Sequence, residues 1–239
     1  MKHAAAVTQL KPLPMPDALV VDGQPLLDLR SPSDLLTPEE KEALLTPVSN
    51  PIDHIYEHHL VEHKRLFEVM LLLRHDIEAT AQLIARCLMN GNKVMLCGNG
   101  GSASDAQHFA AELTGRFLKN RPALAAMALS ANAAVLTCIG NDFGFDEVFA
   151  RQVEAFGQTG DCLVAISTSG NSENVVRAVK AARRRGVSTI ALCGEDGKLN
   201  RICEQVMAVP TASTARIQEA HIFIIHTLCA LVETHLNLN

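Results

Sequence analysis

Two sets of side chains in this sequence could share one chemistry. The first is His108, Glu112 and Arg116, spaced at i, i+4 and i+8 in "SDAQHFAAELTGRF". On an α-helix that spacing puts all three on one face. On a bare surface it would be an ion-pair stripe worth well under ~1 kcal/mol. The alanine-rich surroundings and a Gly-rich turn at the helix start argue for more. The second set lies in "ARIQEAHIFIIHTL". Gln218 and His226 are eight apart with Ile222 between them, and His221 stands three beyond Gln218. A lone histidine in such an apolar helix ordinarily reads as a hydrogen-bonded core residue. Two imidazoles and a carboxylate are donors that zinc favours, with a glutamine oxygen a weaker fourth. A glutamate and a histidine are also the usual means of moving protons on a substrate. Nothing in the sequence alone brings the two helices together.

Two loops offer places for a ligand. "GNGGS" carries glycines at 98, 100 and 101. It has neither the lysine of a P-loop nor the GxGxxG spacing. A glycine turn entering a helix still presents free N–H groups and the positive end of a dipole, suited to an anion or a sugar hydroxyl. "STSGNS" places Ser167, Thr168, Ser169 and Ser172 within six residues. One hydroxyl would suffice as a helix cap, and Ser172 is the natural candidate. Four hydroxyls with exposed amides suit the oxygens of a phosphate monoester. Gly170 lets the backbone approach closely.

These residues need a scaffold. After Gly91, "KVMLCG", "ALAAMALS", "DCLVAIST", "STIALCG" and "EQVMAVP" read as five strands, the last stopped by Pro210. Residues 102–118, 132–139, 147–156 and 172–185 read as helices between them, and 215–235 as a long closing helix. Apolar strands alternating with helices predict an α/β fold with a parallel sheet covered on both faces. Ligands of such sheets bind beyond the carboxyl ends of the strands, where both loops fall. Residues 52–90 contain no proline or glycine and read as one helical run ended by Asn90-Gly91. His54, His58, His59 and His63 lie early in it. No acidic or cysteine partner is fixed beside them, so they read as a solvated helix face.

Eight of the ten prolines fall between Pro12 and Pro51. Residues 1–51 therefore form an extension and residues 52–239 the main domain, with one short helix expected to start at Thr37-Pro38-Glu39-Glu40. A chain of 239 residues, 48% hydrophobic, can bury one good core. A formal charge of -5 gives no broad nucleic-acid surface, and so proline-rich a leader cannot be a helix-turn-helix. No continuous apolar run long enough for a membrane span or a secretory signal is evident, so a cytoplasmic protein with neither membrane nor nucleic-acid partner is expected. The seven cysteines form no CxxC pair and read as buried reduced thiols.

"CGNGGSASDAQHFAAELTGRF", "GNDFGFDEVFARQVEA", "AISTSGNSENV" and "ARIQEAHIFIIH" together resemble the sugar isomerase (SIS) domain family, and within it the phosphoheptose isomerases. The resemblance runs from about Ile77 to the C-terminus. It implies a three-layer, flavodoxin-like sandwich with a five-stranded parallel sheet. It implies interconversion of sedoheptulose 7-phosphate and D-glycero-D-manno-heptose 7-phosphate, early in the making of bacterial lipopolysaccharide heptose. It further implies a homotetramer with active sites shared between subunits. By resemblance, Ser167, Thr168, Ser169 and Ser172 hold the phosphate. Asn99, Gly100, Gly101, Ser102, Asn141 and Asp142 line the sugar site. Glu112 and His226 form the acid–base pair, Arg116 steadies the site's acidic groups, and one zinc per subunit takes His108, Glu112, Gln218 and His226. Ala215 stands where some members carry an aspartate, and the extension is not part of the usual pattern. Two other roles occur on this fold: a non-catalytic protein that associates with the replication initiator, and a phosphosugar-sensing regulator. The first lacks the glutamate and the last-helix histidine. The second would need a DNA-binding domain.

Overall fold

The computed structural model describes residues 54–238, together with a short antiparallel pair, Val20–Val21 with Gln24–Pro25. The chain divides into two units, Met1–Ser49 and Asn50–Asn239. The helix expected near Thr37 lies outside the described residues.

In the larger unit the sheet strands are β1 (Val94–Cys97), β2 (Ala126–Ala128), β3 (Cys162–Ser167), β4 (Ser188–Gly194) and β5 (Gln205–Val209). All neighbours pair in parallel, in the order β2-β1-β3-β4-β5. The helices are α1 (Ile55–Val69), α2 (Arg74–Met89), α3 (Gly101–Thr114), α4 (Ala133–Phe143), α5 (Ala150–Phe156), α6 (Glu173–Arg184), the short α7 (Leu199–Ile202) and α8 (Thr214–His235). The run expected over 52–90 is two helices, separated by a 3-10 turn at Met70–Leu73 that no proline or glycine announces.

Every residue of β1 and β3 is buried, because alternate side chains enter two cores. Val94, Leu96, Val164 and Ile166 pack with α1, α2, α3 and α8 on one face. Met95, Cys97, Leu163 and Ala165 pack with α5 and α6 on the other. Asp161 joins the amino ends of β1 and β3: its carboxylate accepts from Lys93 N at 3.0 Å and Lys93 Nζ at 2.6 Å. All seven cysteines are free; five are buried, but Cys138 is exposed and Cys203 intermediate, against the expectation for those two. By length and composition α8 does qualify as a possible membrane span, contrary to the sequence expectation. Half of its apolar window is packed inside the protein.

β1 and β3 are neighbours whose chains leave in opposite directions, toward β2 and toward β4. The crevice at such a switch point is where α/β sheets take ligands. The "GNGGS" and "STSGNS" loops flank it.

Candidate active site

Glycine shapes the first loop. Gly100 caps α3 with φ 55, and a Cβ on Gly98 would stand 2.6 Å from the Ser102 carbonyl oxygen. Ser102 itself is buried, and no side chain caps the helix. A Cβ on Gly101 would collide with the Gln218 carboxamide, so α8 approaches α3 here because residue 101 has no side chain. Asn99 and Asn174 exchange two side-chain hydrogen bonds of 2.9 Å each, tying this loop to the start of α6.

In the second loop Ser172 precedes α6 but its hydroxyl does not cap it. It stands 3.1 Å from the Ser167 hydroxyl instead, and Ser169 Oγ lies 3.5 Å from that same hydroxyl. Three hydroxyls thus gather at the amino end of a 12-residue helix, the arrangement an oxyanion needs. Gly170, at φ 62, packs its backbone on Gly197. Thr168 lines a separate cleft of about 220 Å³ with Ser169, Gly194, Thr211 and Ile217.

The two polar helices do meet. Gly101 touches Gln218, and seven residues later His108 Nε2 lies 2.9 Å from His226 Nε2. Helices α3 and α8 therefore run side by side in the same direction and nearly in register. Glu112 Oε1 lies 3.7 Å from His108 Nε2. The two imidazoles meet edge to face, 5.1 Å between centroids at 70°. His108, Glu112 and His226 thus converge, as the spacing allowed. Gln218 is held two turns away from His226, at the sugar-loop end. Arg116 is a correction: α3 ends at Thr114, broken at Gly115, so Arg116 stands exposed beyond the helix and off the His108–Glu112 face. Asn141 and Asp142 are exposed on α4 and bond to each other at 2.7 Å. The side-chain hydrogen bonds they make, to each other and from Cys138 to Asp142, stay within α4.

The sequence reading passed over several nearby groups. Asp105, one turn before His108, is 7% exposed and its Oδ2 has no partner. Burial pushes its pKa up to about 6, with His108 pulling the other way. Asn174 was missed because its role depends on Asn99, 75 residues away. His221 is a core residue as expected, but neither ring nitrogen makes a well-formed hydrogen bond. Burial lowers its pKa to about 4 against a weaker pull from the Cys193 backbone. Away from this pocket, His58, His59 and Glu62 on exposed α1 bring donor atoms within 4.8 Å of one another, so an acidic partner does stand beside those histidines. His63 is not simply solvated either: its Nδ1 lies 2.8 Å from Glu219 of α8.

A doubly covered parallel sheet with a hydroxyl cradle and a His/Glu/His cluster at its switch point defines a phosphosugar-handling protein of the SIS domain class, and residues 60–194 match the model of that domain. The chain is 52% identical over 175 residues to a phosphoheptose isomerase of Campylobacter concisus, covering 73% of this chain and 93% of the relative. It is 56% identical over 168 residues to one of Neisseria meningitidis serogroup A, covering 69% and 85%. The solved phosphoheptose isomerase GmhA of Neisseria gonorrhoeae superposes with a TM-score of 0.73 at 46% identity, covering 77% of this chain and 99% of that one. The chain belongs to the phosphoheptose isomerase family of SIS-domain proteins.

Proposed function

We propose that this enzyme interconverts D-sedoheptulose 7-phosphate and D-glycero-D-manno-heptose 7-phosphate through an enediol, with Glu112 and His226 as the acid–base pair. Family membership makes it an aldose–ketose isomerase of phosphoheptoses. The observation that carries the residue assignment is the convergence of His108, Glu112 and His226 where α3 and α8 meet in register. Ketose-to-aldose conversion moves one proton between C1 and C2 and another between their oxygens. Glu112 takes and returns the carbon-bound proton. His226 serves the oxygens, and the same two groups run the same steps in reverse order in the back reaction.

Ser167, Ser169 and Ser172, with Thr168 beside them, hold the phosphate through hydroxyls and the free amides opening α6. No lysine belongs to the loop, so neutral donors and the helix end do the binding. Asn99, Gly100, Gly101 and Ser102 form the floor for the sugar, and Gln218 reaches its hydroxyls from α8. Arg116 is free to meet the substrate from the pocket rim.

The donors fit zinc, one per subunit. Both histidines turn Nε2 toward one point with a carboxylate beside them, as two ligands of one ion do. His108, Glu112 and His226 would hold it, and Gln218 would become the fourth donor only by turning its carboxamide from Gly101 toward His226. Bound there, zinc would polarise a sugar oxygen as a Lewis acid.

Helix α4 supports the shared-site tetramer. It buries no residue within its own chain, and Phe143 and Phe145 at its end are exposed. An apolar helix presenting Asn141 and Asp142 suits the completion of a neighbouring subunit's pocket. The chemistry belongs to the cytoplasm, on the route to the heptose of bacterial lipopolysaccharide. NMR of sedoheptulose 7-phosphate turnover, with and without chelator, tests the reading. Glu112→Gln and His226→Asn are each expected to lose about 10²–10⁴ in kcat. A Glu112→Gln enzyme within twofold of the parent would sink the assignment.

A further inference from the structure

Two rings contact His226. His108 meets it edge to face, and the ring of Phe117 stacks on it, 5.6 Å between centroids and only 21° from parallel. Phe117 is not on a helix, since α3 has already ended at Thr114. A loop phenylalanine would ordinarily be free to swing. Here its backbone is pinned. The N–H groups of Phe117, Leu118 and Lys119 all donate to the Glu233 carboxylate, at 3.2, 3.3 and 3.2 Å. Glu233 lies seven residues, two turns, beyond His226 on the same side of α8. The helix that carries His226 thus also holds the loop whose ring rests on His226.

Arg121 closes the circuit. Its Nε donates to Glu233 Oε1 at 2.8 Å. Its Nη2 donates to the Glu112 carbonyl at 2.7 Å, and its Nη1 to the Leu113 carbonyl at 2.8 Å. Those carbonyls belong to the last turn of α3, where the helix supplies no partner. One guanidinium therefore ties the end of the helix bearing Glu112 to the helix bearing His226. The Arg121 and Glu233 side chains are 1% and 2% exposed, so water does not loosen the tie.

We propose that Phe117 is a positioning residue for His226, and that the buried Arg121–Glu233 pair is the brace that keeps it in place. The kinetic part rests on His226 as an acid–base group; the geometric part does not. Phe117→Leu keeps apolar bulk but removes the flat face, and Phe117→Tyr keeps the face. In a crystal structure of chelator-treated Phe117→Leu, the His226 ring is expected to leave its place beside His108 or to split between rotamers. With substrate, kcat is expected to fall about tenfold with KM within about twofold, since misplacement of a reacting group by about 1 Å can cost 10²-fold. Phe117→Tyr restores kcat, and thermal unfolding of both variants stays near that of the parent. An unmoved His226 in the Phe117→Leu crystal overturns the proposal. So does a loss of kcat that tyrosine fails to restore. If the parent enzyme turns over no phosphoheptose, the isomerase reading falls, and the crystal comparison still decides the positioning role.

Discussion

Replacing Glu233 by glutamine keeps the shape of the side chain and removes its charge. Four donors converge on this carboxylate: three backbone N–H groups and Arg121 Nε. The one carbonyl oxygen of glutamine cannot satisfy all four, and its NH₂ would face donors. Arg121, 1% exposed, would keep a buried positive charge with no counter-charge. Breaking a buried pair from one side typically costs about 3–5 kcal/mol, against about 5–15 kcal/mol for the whole stability of a domain. With a urea dependence of about 2–3 kcal/mol per molar, the unfolding midpoint of Glu233→Gln should drop by about 1–2.5 M. The measurement is urea unfolding of the zinc-free chain at fixed protein concentration, because subunit association shifts the apparent midpoint.

Two controls separate charge from packing. Arg121→Met combined with Glu233→Gln removes both charges and should cost less than the sum of the single changes, by at least about 1 kcal/mol. The second control is pH. Burial alone would raise the Glu233 pKa, but Arg121 and the three backbone amides outweigh burial and hold it below the ordinary value. A lowered folded-state pKa gives stabilisation that is complete above the unfolded value, about 4.3, and is lost as pH falls through the folded one. The gap between parent and Glu233→Gln should therefore be full at pH 7 and shrink below about pH 4. A midpoint within about 0.3 M of the parent at pH 7 would refute the argument, since it would mean that Arg121 finds other compensation.

Two further outcomes follow from the pocket. Asp105→Asn should stabilise the zinc-free protein at pH 7.5 by about 1–3 kcal/mol, because burial raises the folded-state pKa to about 6. The sign is opposite to that of Glu233: the parent should lose stability as pH rises from about 4 to 6, and urea titration of Asp105→Asn should show that slope flattened. Gly101→Ala should fold, since alanine suits a helix and the clashing group is the far end of a flexible side chain. It should displace Gln218 and lower kcat/KM about tenfold or more, and unchanged steady-state kinetics would remove Gln218 from the sugar site.

The scaffold was legible because its signals are local. Five apolar runs became five parallel strands, and the proline-free stretches between them became helices, with ends shifted by a few residues. The helix ending at Thr114 rather than Leu118 shows the limit: Gly115 was visible, but its power to stop the helix depended on Arg121 and Glu233 satisfying the freed groups. The His108/Glu112 and Gln218/His226 spacings were legible as two faces. That they face each other depends on contacts spanning 118 residues, which no window of sequence contains. Asp105, Phe117, Arg121 and Glu233 were missed for one reason. A buried carboxylate looks like a surface one until its neighbours are known, and a phenylalanine looks like core until something functional lies against it.

The in-register contact of α3 and α8 also explains why the spacings cannot drift. Gly101, His108 and the loop at Phe117 meet Gln218, His226 and Glu233 in order along one seam. One residue inserted between Gly101 and His108 would turn everything after it by about 100° and move it by about 1.5 Å. His108 and Glu112 would leave His226 together, and Arg121, carried along with the end of α3, could no longer reach Glu233. The glycine at the start sets how closely the helices approach, and the ion pair at the end sets their register. The proposed proton-transfer groups, Glu112 and His226, lie between these two fixed points. The proposed acid–base geometry is therefore a property of the whole seam, and changes at its Arg121–Glu233 end should alter kcat without touching the sugar.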